Sequence, residues 1–274
     1  MEIRYLPNAK INIGLYVVEK RSDGYHNLET VFYPLPLYDE LVVEEKPSMK
    51  ESCKLEVEGI AVTTNQEDNL IVKAYRLLEK DFSLGNTAVY LRKNIPFGAG
   101  LGGGSSDAAF MLKALNELYS LQLTDDQLEK YAVKLGADCP FFIRNRPVFA
   151  TGIGNVFQPV EVSLQGYQFV LVKPDIHVST PLAYAGIKPQ PAQFSLSGSI
   201  QFPIENWKQR IENDFEKTVF EKFPRIGEIK QELYDSGALY ATMSGSGSSV
   251  IGIFPQHQEL RVTTGDAQVF SGVF

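Results

Sequence analysis

Cysteine is nearly absent from this 274-residue chain. Cys53 and Cys139 are the only two, which excludes the disulfide framework that staples small secreted domains. Histidine is as scarce, with three residues at positions 26, 177 and 257, and their scatter offers no zinc-ligand spacing. Positive charge is also short: 26 Lys and Arg face 33 Asp and Glu, a formal net charge of −7 at pH 7. That removes the basic tract on which sequence-independent nucleic-acid binding depends. An anionic ligand must then be met locally, by aimed backbone N–H groups and one or two cations, because the field of the whole molecule opposes it. No apolar run approaches the roughly 18 residues of a membrane span, and Met1-Glu2-Ile3-Arg4-Tyr5-Leu6-Pro7 puts charges and a proline where a signal peptide is apolar. A reducing cytoplasm is the expected compartment, with neither nucleic acid nor membrane as partner.

What is present is an ordinary globular composition, 44% hydrophobic and 22% charged with 22 glycines and 15 prolines, long enough for two lobes sharing a cleft. From Met1 to about Val62 the chain reads mostly as strands, including Ile11–Val18 and Leu41–Glu45, punctuated by Ser22-Asp23-Gly24, Pro34 and Pro36. A helix is expected from Asp68-Asn69, with Leu70, Ala74, Leu77 and Leu78 on one face, then a strand over Thr87–Lys93. Thr124 to Gln127 forms a capping-box pattern ahead of Leu128, Tyr131, Ala132 and Leu135, with Gly136 as the stop. Turn residues from Gly152 to Pro159 set a lobe boundary near 160. A strand follows at Tyr167–Lys173, then an exposed excursion over Lys188–Ser199, a helix over Pro224–Tyr234, and strands on both sides of Ser244–Ser249.

Chemistry concentrates in one stretch: Pro96-Phe97-Gly98-Ala99-Gly100-Leu101-Gly102-Gly103-Gly104-Ser105-Ser106-Asp107, feeding a helix that carries Ala108, Met111, Leu112, Leu115 and Leu118. Five of the seven residues from Gly98 to Gly104 are glycine, so consecutive N–H groups can turn inward while the helix dipole adds positive potential. That combination points to phosphate binding. The Walker pattern fails because no lysine follows the glycines. Gly98, Gly100 and Gly103 satisfy G-x-G-x-x-G, but Pro96 separates them from the preceding strand and a long helix occupies the place of the ribose-binding acid, so the dinucleotide reading is weak.

The stretch from Pro96 to Ala109 resembles the ATP-binding loop of the GHMP kinases, the family of galactokinase, homoserine kinase and mevalonate kinase. Pro7-Asn8-Ala9-Lys10-Ile11-Asn12 is similar to that family's N-terminal motif, and Met243 to Ser249 to its C-terminal glycine motif. Within the family, Lys20 to Leu28 and Gly136-Ala137-Asp138-Cys139-Pro140-Phe141-Phe142 resemble a branch that phosphorylates the C2 hydroxyl of a cytidine-diphosphate-linked methylerythritol. The resemblance implies an α+β fold of two lobes, 1–160 as the ATP-binding lobe and 161–274 as the C-terminal lobe, with the active site in the cleft between them. It also implies ATP as phosphoryl donor, Mg²⁺ bound with the nucleotide, and a small-molecule substrate; a monomer or weak homodimer is expected.

Carried over residue by residue, the resemblance makes Asp138 the acid that takes the hydroxyl proton and Lys10 the amine that holds it and the hydroxyl in place. On the residues alone, Asp138 reads as an aspartate in a turn and Lys10 as an exposed strand lysine. Pro96, Phe97, Gly98, Ala99, Gly100, Leu101, Gly102, Gly103, Gly104, Ser105 and Ser106 would hold ATP, the two serines also capping the helix. Tyr25 and His26 would recognise cytosine, with Tyr184 on the ring's other face and Thr180 nearby; core packing is an equal reading of Tyr184. Asn12 would hydrogen-bond substrate. Asp107 reads as a first-turn acid favoured by the helix dipole and is left out of any metal set. Asn155 and Cys139 depart from the family's usual glutamate and valine.

Overall fold

The computed structural model describes residues 1–60, 65–259 and 265–274; the end of the N-terminal strand region, at Val62, lies outside them. In chain order the elements are β1 (Glu2–Tyr5), β2 (Asn8–Lys20), β3 (His26–Tyr38), β4 (Glu40–Glu45), β5 (Cys53–Gly59), α1 (Leu70–Glu79), β6 (Thr87–Lys93), α2 (Gly103–Leu118), α3 (Asp125–Ala132) and α4 (Cys139–Arg144). There follow β7 (Val148–Thr151), β8 (Val156–Pro159), β9 (Gln168–Lys173), α5 (Thr180–Tyr184), α6 (Leu196–Ser199), α7 (Phe215–Lys222), α8 (Pro224–Asp235), β10 (Tyr240–Met243), β11 (Val250–Phe254) and β12 (Gln268–Val273). The fold is α+β. No described helix is long and apolar enough to cross a membrane.

Two compact units share the chain discontinuously: Met1–Ala9, Leu37–Phe97 and Gly102–Arg146 form one, and Lys10–Pro36, Gly98–Leu101 and Pro147–Phe274 the other. The sequence boundary near 160 is a single cut, whereas the compact units interleave. A chain-order reading has no access to that, because it cannot say which strand a segment will pair with.

In the first unit, β1, β4, β6 and β5 form one sheet in that order. β4 lies antiparallel to β6, with Val43 opposite Val89, and β5 runs parallel to β6, with Leu55 opposite the same valine. In β5 the buried Cys53 and Leu55 alternate with the exposed Lys54 and Glu56, and in β6 the buried Val89 and Leu91 with the half-buried Ala88 and Tyr90, the period of a sheet with one buried face. Asn69 caps α1 by accepting a hydrogen bond from the Ile71 N–H, and the helix buries Ile71, Val72, Ala74, Tyr75 and Leu78. The Thr124–Gln127 capping box forms as expected, although α3 ends at Ala132 and leaves Leu135 in the turns beyond it.

The second unit holds two sheets, β2-β3-β7-β8 and β10-β11-β9-β12. Its core gathers Leu15 and Val17 of β2, Val170 and Val172 of β9, Phe215 and Val219 of α7, and Ile226, Ile229 and Leu233 of α8. Pro34 and Pro36, read as punctuation, instead lie inside β3. That strand pairs with β7 only from Thr30 to Phe32, so on that side the prolines sit beyond the register. The Lys188–Ser199 excursion is only partly exposed: it ends in α6, where Ser195 caps the turn and Leu196 and Ser199 are buried.

Candidate active site

Ten consecutive residues of β2, Asn8 to Val17, are buried, although Asn8, Lys10 and Asn12 are polar. Polar groups survive such burial only when paired. In the second unit the Lys10 ammonium donates to Asn12 Oδ1 at 2.7 Å and lies 4.8 Å from the centroid of the Phe32 ring. Asn12 Nδ2 donates to Thr30 Oγ1 at 2.9 Å, and that hydroxyl donates to the Gly14 carbonyl at 2.6 Å. This chain fixes the direction of the ammonium. It corrects the reading of Lys10 as an exposed strand lysine, since only 4% of its surface is accessible. Asn12, expected to meet substrate, here orients Lys10.

The same unit contains Gly98 to Leu101 of the glycine loop. The Lys10 N–H donates to the Leu101 carbonyl at 2.9 Å, and Ser249 N–H to that of Ala99 at 3.4 Å. Ser244 Oγ donates to the Gly100 carbonyl at 2.9 Å and accepts from Asn12 N–H at 3.3 Å. Gly100, at φ +76°, is packed so tightly that a Cβ there would lie 2.0 Å from the Ser244 carbonyl oxygen, so no side chain fits. His177, not singled out in the sequence, lies with its ring 3.4 Å from where a Cβ on Gly98 would stand. Ser248 Oγ donates to the carbonyl of the preceding Ile176 at 2.6 Å.

The cytosine candidates also lie in the second unit. Tyr25 is 62% exposed; its N–H donates to Asp23 Oδ1 at 3.1 Å, and Arg21 pairs with Asp23 at 2.7 Å. His26 and Tyr184 stack on each other, centroids 4.7 Å apart and planes 23° from parallel, which leaves no room for a base between those two rings. Tyr184 meets Phe215 edge-on at 4.8 Å, so it packs on the core and lines the His26 surface at once. Burial pushes its phenol pKa up. Thr180 is exposed on the first turn of α5.

In the first unit are Pro96 and Phe97, Gly102 to Ser106, and Asp138. Ser105 and Ser106 do not cap α2. The helix starts at Gly103 after Gly102 in the left-handed conformation, φ +69°, with no side-chain cap. Glycine tolerates that conformation, so the helix begins before the serines and leaves its first N–H groups and both hydroxyls for other partners. Ser106 Oγ is buried with no hydrogen-bond partner. Asp138 precedes α4 without capping it. Beside it, the Cys139 thiol meets the Ser105 hydroxyl in the first turn of α2, and burial pushes the thiol pKa up to about 12. Asp138 is thus held next to the start of α2.

Sequence reasoning missed what lies behind that start. Lys93 Nζ bonds both Asp39 and Asp107, the latter at 2.7 Å, with all three side chains at most 4% exposed. Asp39 Oδ1 also accepts from the N–H groups of Asn94 and Ile95 at 2.6 and 2.8 Å, fixing the chain just ahead of Pro96. Asp107 is therefore a buried ion-pair partner, not a solvent-facing first-turn acid. Burial, with Asp39 adding to it, raises its pKa against the pull of Lys93, and its Oδ1 has no partner. Burial alone would depress Lys93, but the two carboxylates outweigh it and leave that pKa raised. No local signal joins residues 54 positions apart.

The GHMP kinases N terminal domain family matches residues 69–146 and the GHMP kinases C terminal family residues 203–262. A 4-diphosphocytidyl-2-C-methyl-D-erythritol kinase of Bacteroides thetaiotaomicron is 55% identical, covering 96% of each chain, and that of Parabacteroides distasonis 50% identical, covering 97% of each. Among solved structures, a crystal structure of 4-(cytidine 5'-diphospho)-2C-methyl-D-erythritol kinase superposes with a TM-score of 0.79 at 34% identity, covering 92% of this chain and 90% of that one. A homoserine kinase from Cytophaga hutchinsonii, at 16% identity and a TM-score of 0.68 over 99% of this chain and 94% of its own, shares the fold. On identity sustained over nearly the whole length, the chain belongs to the GHMP kinase family, in the branch of the 4-diphosphocytidyl-2-C-methyl-D-erythritol kinases.

Proposed function

We propose that this kinase transfers the γ-phosphoryl group of ATP to the C2 hydroxyl of 4-diphosphocytidyl-2-C-methyl-D-erythritol, giving the 2-phosphate and ADP in the non-mevalonate route to isoprenoid precursors. The observation that carries the reading of the site is the buried Lys10, aimed by Asn12 and tied through its own N–H to the glycine loop at Leu101. Residues 1–160 supply the ATP-binding segments and 161–274 the aromatic and turn residues of the C-terminal lobe.

Phosphoryl transfer through a loose transition state asks mainly for positioning and charge neutralisation. Backbone N–H groups of the Pro96–Ser106 stretch hold the triphosphate, the first turn of α2 contributing its unpaired donors. Asp138 accepts the C2 hydroxyl proton as that oxygen bonds to the γ-phosphorus and the bond to ADP breaks. Lys10 lends positive charge to the acceptor oxygen. Among the described residues no group of three or more His, Cys, Asp or Glu is placed to hold a metal, whereas the partnerless Ser106 Oγ offers one oxygen. Mg²⁺ therefore fits as an ion carried mostly on the phosphates with Ser106 as its protein contact, and when bound it neutralises phosphate charge. Tyr25 stacks on cytosine, with His26, Tyr184 and Thr180 completing that pocket. A cytoplasmic location suits an enzyme that consumes ATP.

Purified protein with ATP and the cytidyl substrate is expected to release ADP and yield one new phosphomonoester signal in phosphorus NMR. Asp138→Asn should lower kcat by about 10³-fold while leaving the ATP dissociation constant within about threefold. Undiminished turnover in that variant would remove Asp138 from the mechanism.

A further inference from the structure

Asn213 stands just before α7, far in sequence from any glycine motif, and is 3% exposed. Both of its amide hydrogens and its oxygen are engaged. Oδ1 accepts the Phe215 N–H at 3.0 Å, and Nδ2 donates to two carbonyls, those of Met243 and Gly245, each at 2.8 Å. Those carbonyls flank Ser244, so one side chain straddles the residue that touches Gly100. The residues around Asn213 are laced into the same unit. Asp214 N–H donates to the Leu15 carbonyl at 2.8 Å, Asp214 Oδ2 accepts from Val17 N–H at 2.7 Å, and Glu216 Oε1 accepts from Met243 N–H at 2.9 Å. Lys230 holds the other oxygen of Glu216 at 2.6 Å.

We propose that Asn213 is a positioning residue for nucleotide binding: by fixing the carbonyls on both sides of Ser244, it sets the Ser244 hydroxyl and carbonyl against Gly100 and so fixes the Gly98–Leu101 part of the phosphate loop. A primary amide is the group for this task, because it presents two donors in one plane to two carbonyls and still has an acceptor for the start of α7. The contact it transmits is stiff. The Ser244 carbonyl occupies the space a Cβ on Gly100 would need, so a displacement of the turn moves the loop backbone itself. The inference rests on the reading that this loop cradles the triphosphate.

Asn213→Asp keeps the acceptor for Phe215 but turns a carboxylate oxygen toward the two carbonyls. It should raise KM for ATP about tenfold while KM for the cytidyl substrate stays within about twofold. Ser244→Ala, which removes the hydroxyl on Gly100, should raise the ATP KM in the same direction. The double variant should fall well short of the product of the two effects, because both act through one contact. Should Asn213→Asp not fold, Asn213→Gln, with both donors one methylene further out, takes its place in the cycle. Unchanged KM values with a lowered melting temperature, or two effects that simply multiply, would overturn the proposal. Gly98→Ala, where a Cβ would meet only the His177 ring at 3.4 Å, separates the two readings: if it leaves the ATP KM unaltered the loop is not the cradle, and if it raises the KM while the Asn213 variants do not, the cradle stands and the clasp falls.

Discussion

The glycine stretch is supported by two devices of opposite character. In the first unit, Asp39, Lys93 and Asp107 fix the chain ahead of Pro96 and the first turns of α2 through buried charge. In the second, Asn213, Ser244 and Asn12 fix Gly98 to Leu101 through neutral amides, a hydroxyl and a close backbone approach. Two carboxyl groups and one ammonium taken from water form a triad whose members depend on one another, and losing one leaves the others unmatched. The amide clasp carries no charge. Its loss misplaces atoms without stranding an ion, so it acts on binding geometry more than on whether the chain folds.

The largest test of that contrast is Lys93→Met, which leaves two buried carboxyl groups without the cation they share. It is expected to cost about 3–5 kcal/mol, seen as a fall in melting temperature of roughly 10 °C; a loss no greater than that of Asn213→Gln would erase the distinction. Next comes pH. Burial, with Asp39 adding to it, raises the Asp107 pKa in the folded protein against the pull of Lys93, so the native state keeps a proton there to higher pH than the unfolded chain does. Stability from this source is greatest at acid pH and declines as pH rises above the ordinary carboxylate range. Asp107→Asn should flatten the melting temperature across that window, whereas Asn213→Gln, which adds no titratable group, should leave its slope as in the parent. The smallest effect belongs to Cys139→Val. The thiol is buried and held un-ionised by its raised pKa, near 12, so removing it should leave ATP KM within about twofold and stability within about 1 kcal/mol.

How much of this could be read from the chain follows the range of each interaction. The Asn69 cap, the Thr124–Gln127 box and the glycine run ahead of α2 are written within four or five residues of themselves, and each appears where the pattern puts it. The role of the serines was misplaced by one turn, because Gly102 could take the left-handed conformation and start the helix early. The burial of Lys10, the ion triad and the Asn213 clasp were not legible. A lysine in a strand, an aspartate after two serines and an asparagine before a helix look the same whether exposed or buried. Only β2, β4 and β6 taking their places in the sheets, and the Ser244 turn lying on Gly100, decide between those states. The family resemblance supplied Lys10 and Asp138 as a pair; nothing in the pattern of hydrophobic residues would have.

The absence of space at Gly100 also bears on redesign. Anyone wishing to retune donor preference will find position 100 closed to every replacement, since the main chain of Ser244 and Gly247 already occupies the volume a new group would claim. Phe97, three residues earlier and 65% accessible, is open to substitution. Variation in what this enzyme accepts as its phosphate source should therefore be sought at that flank, while the glycine itself stays invariant under selection for activity.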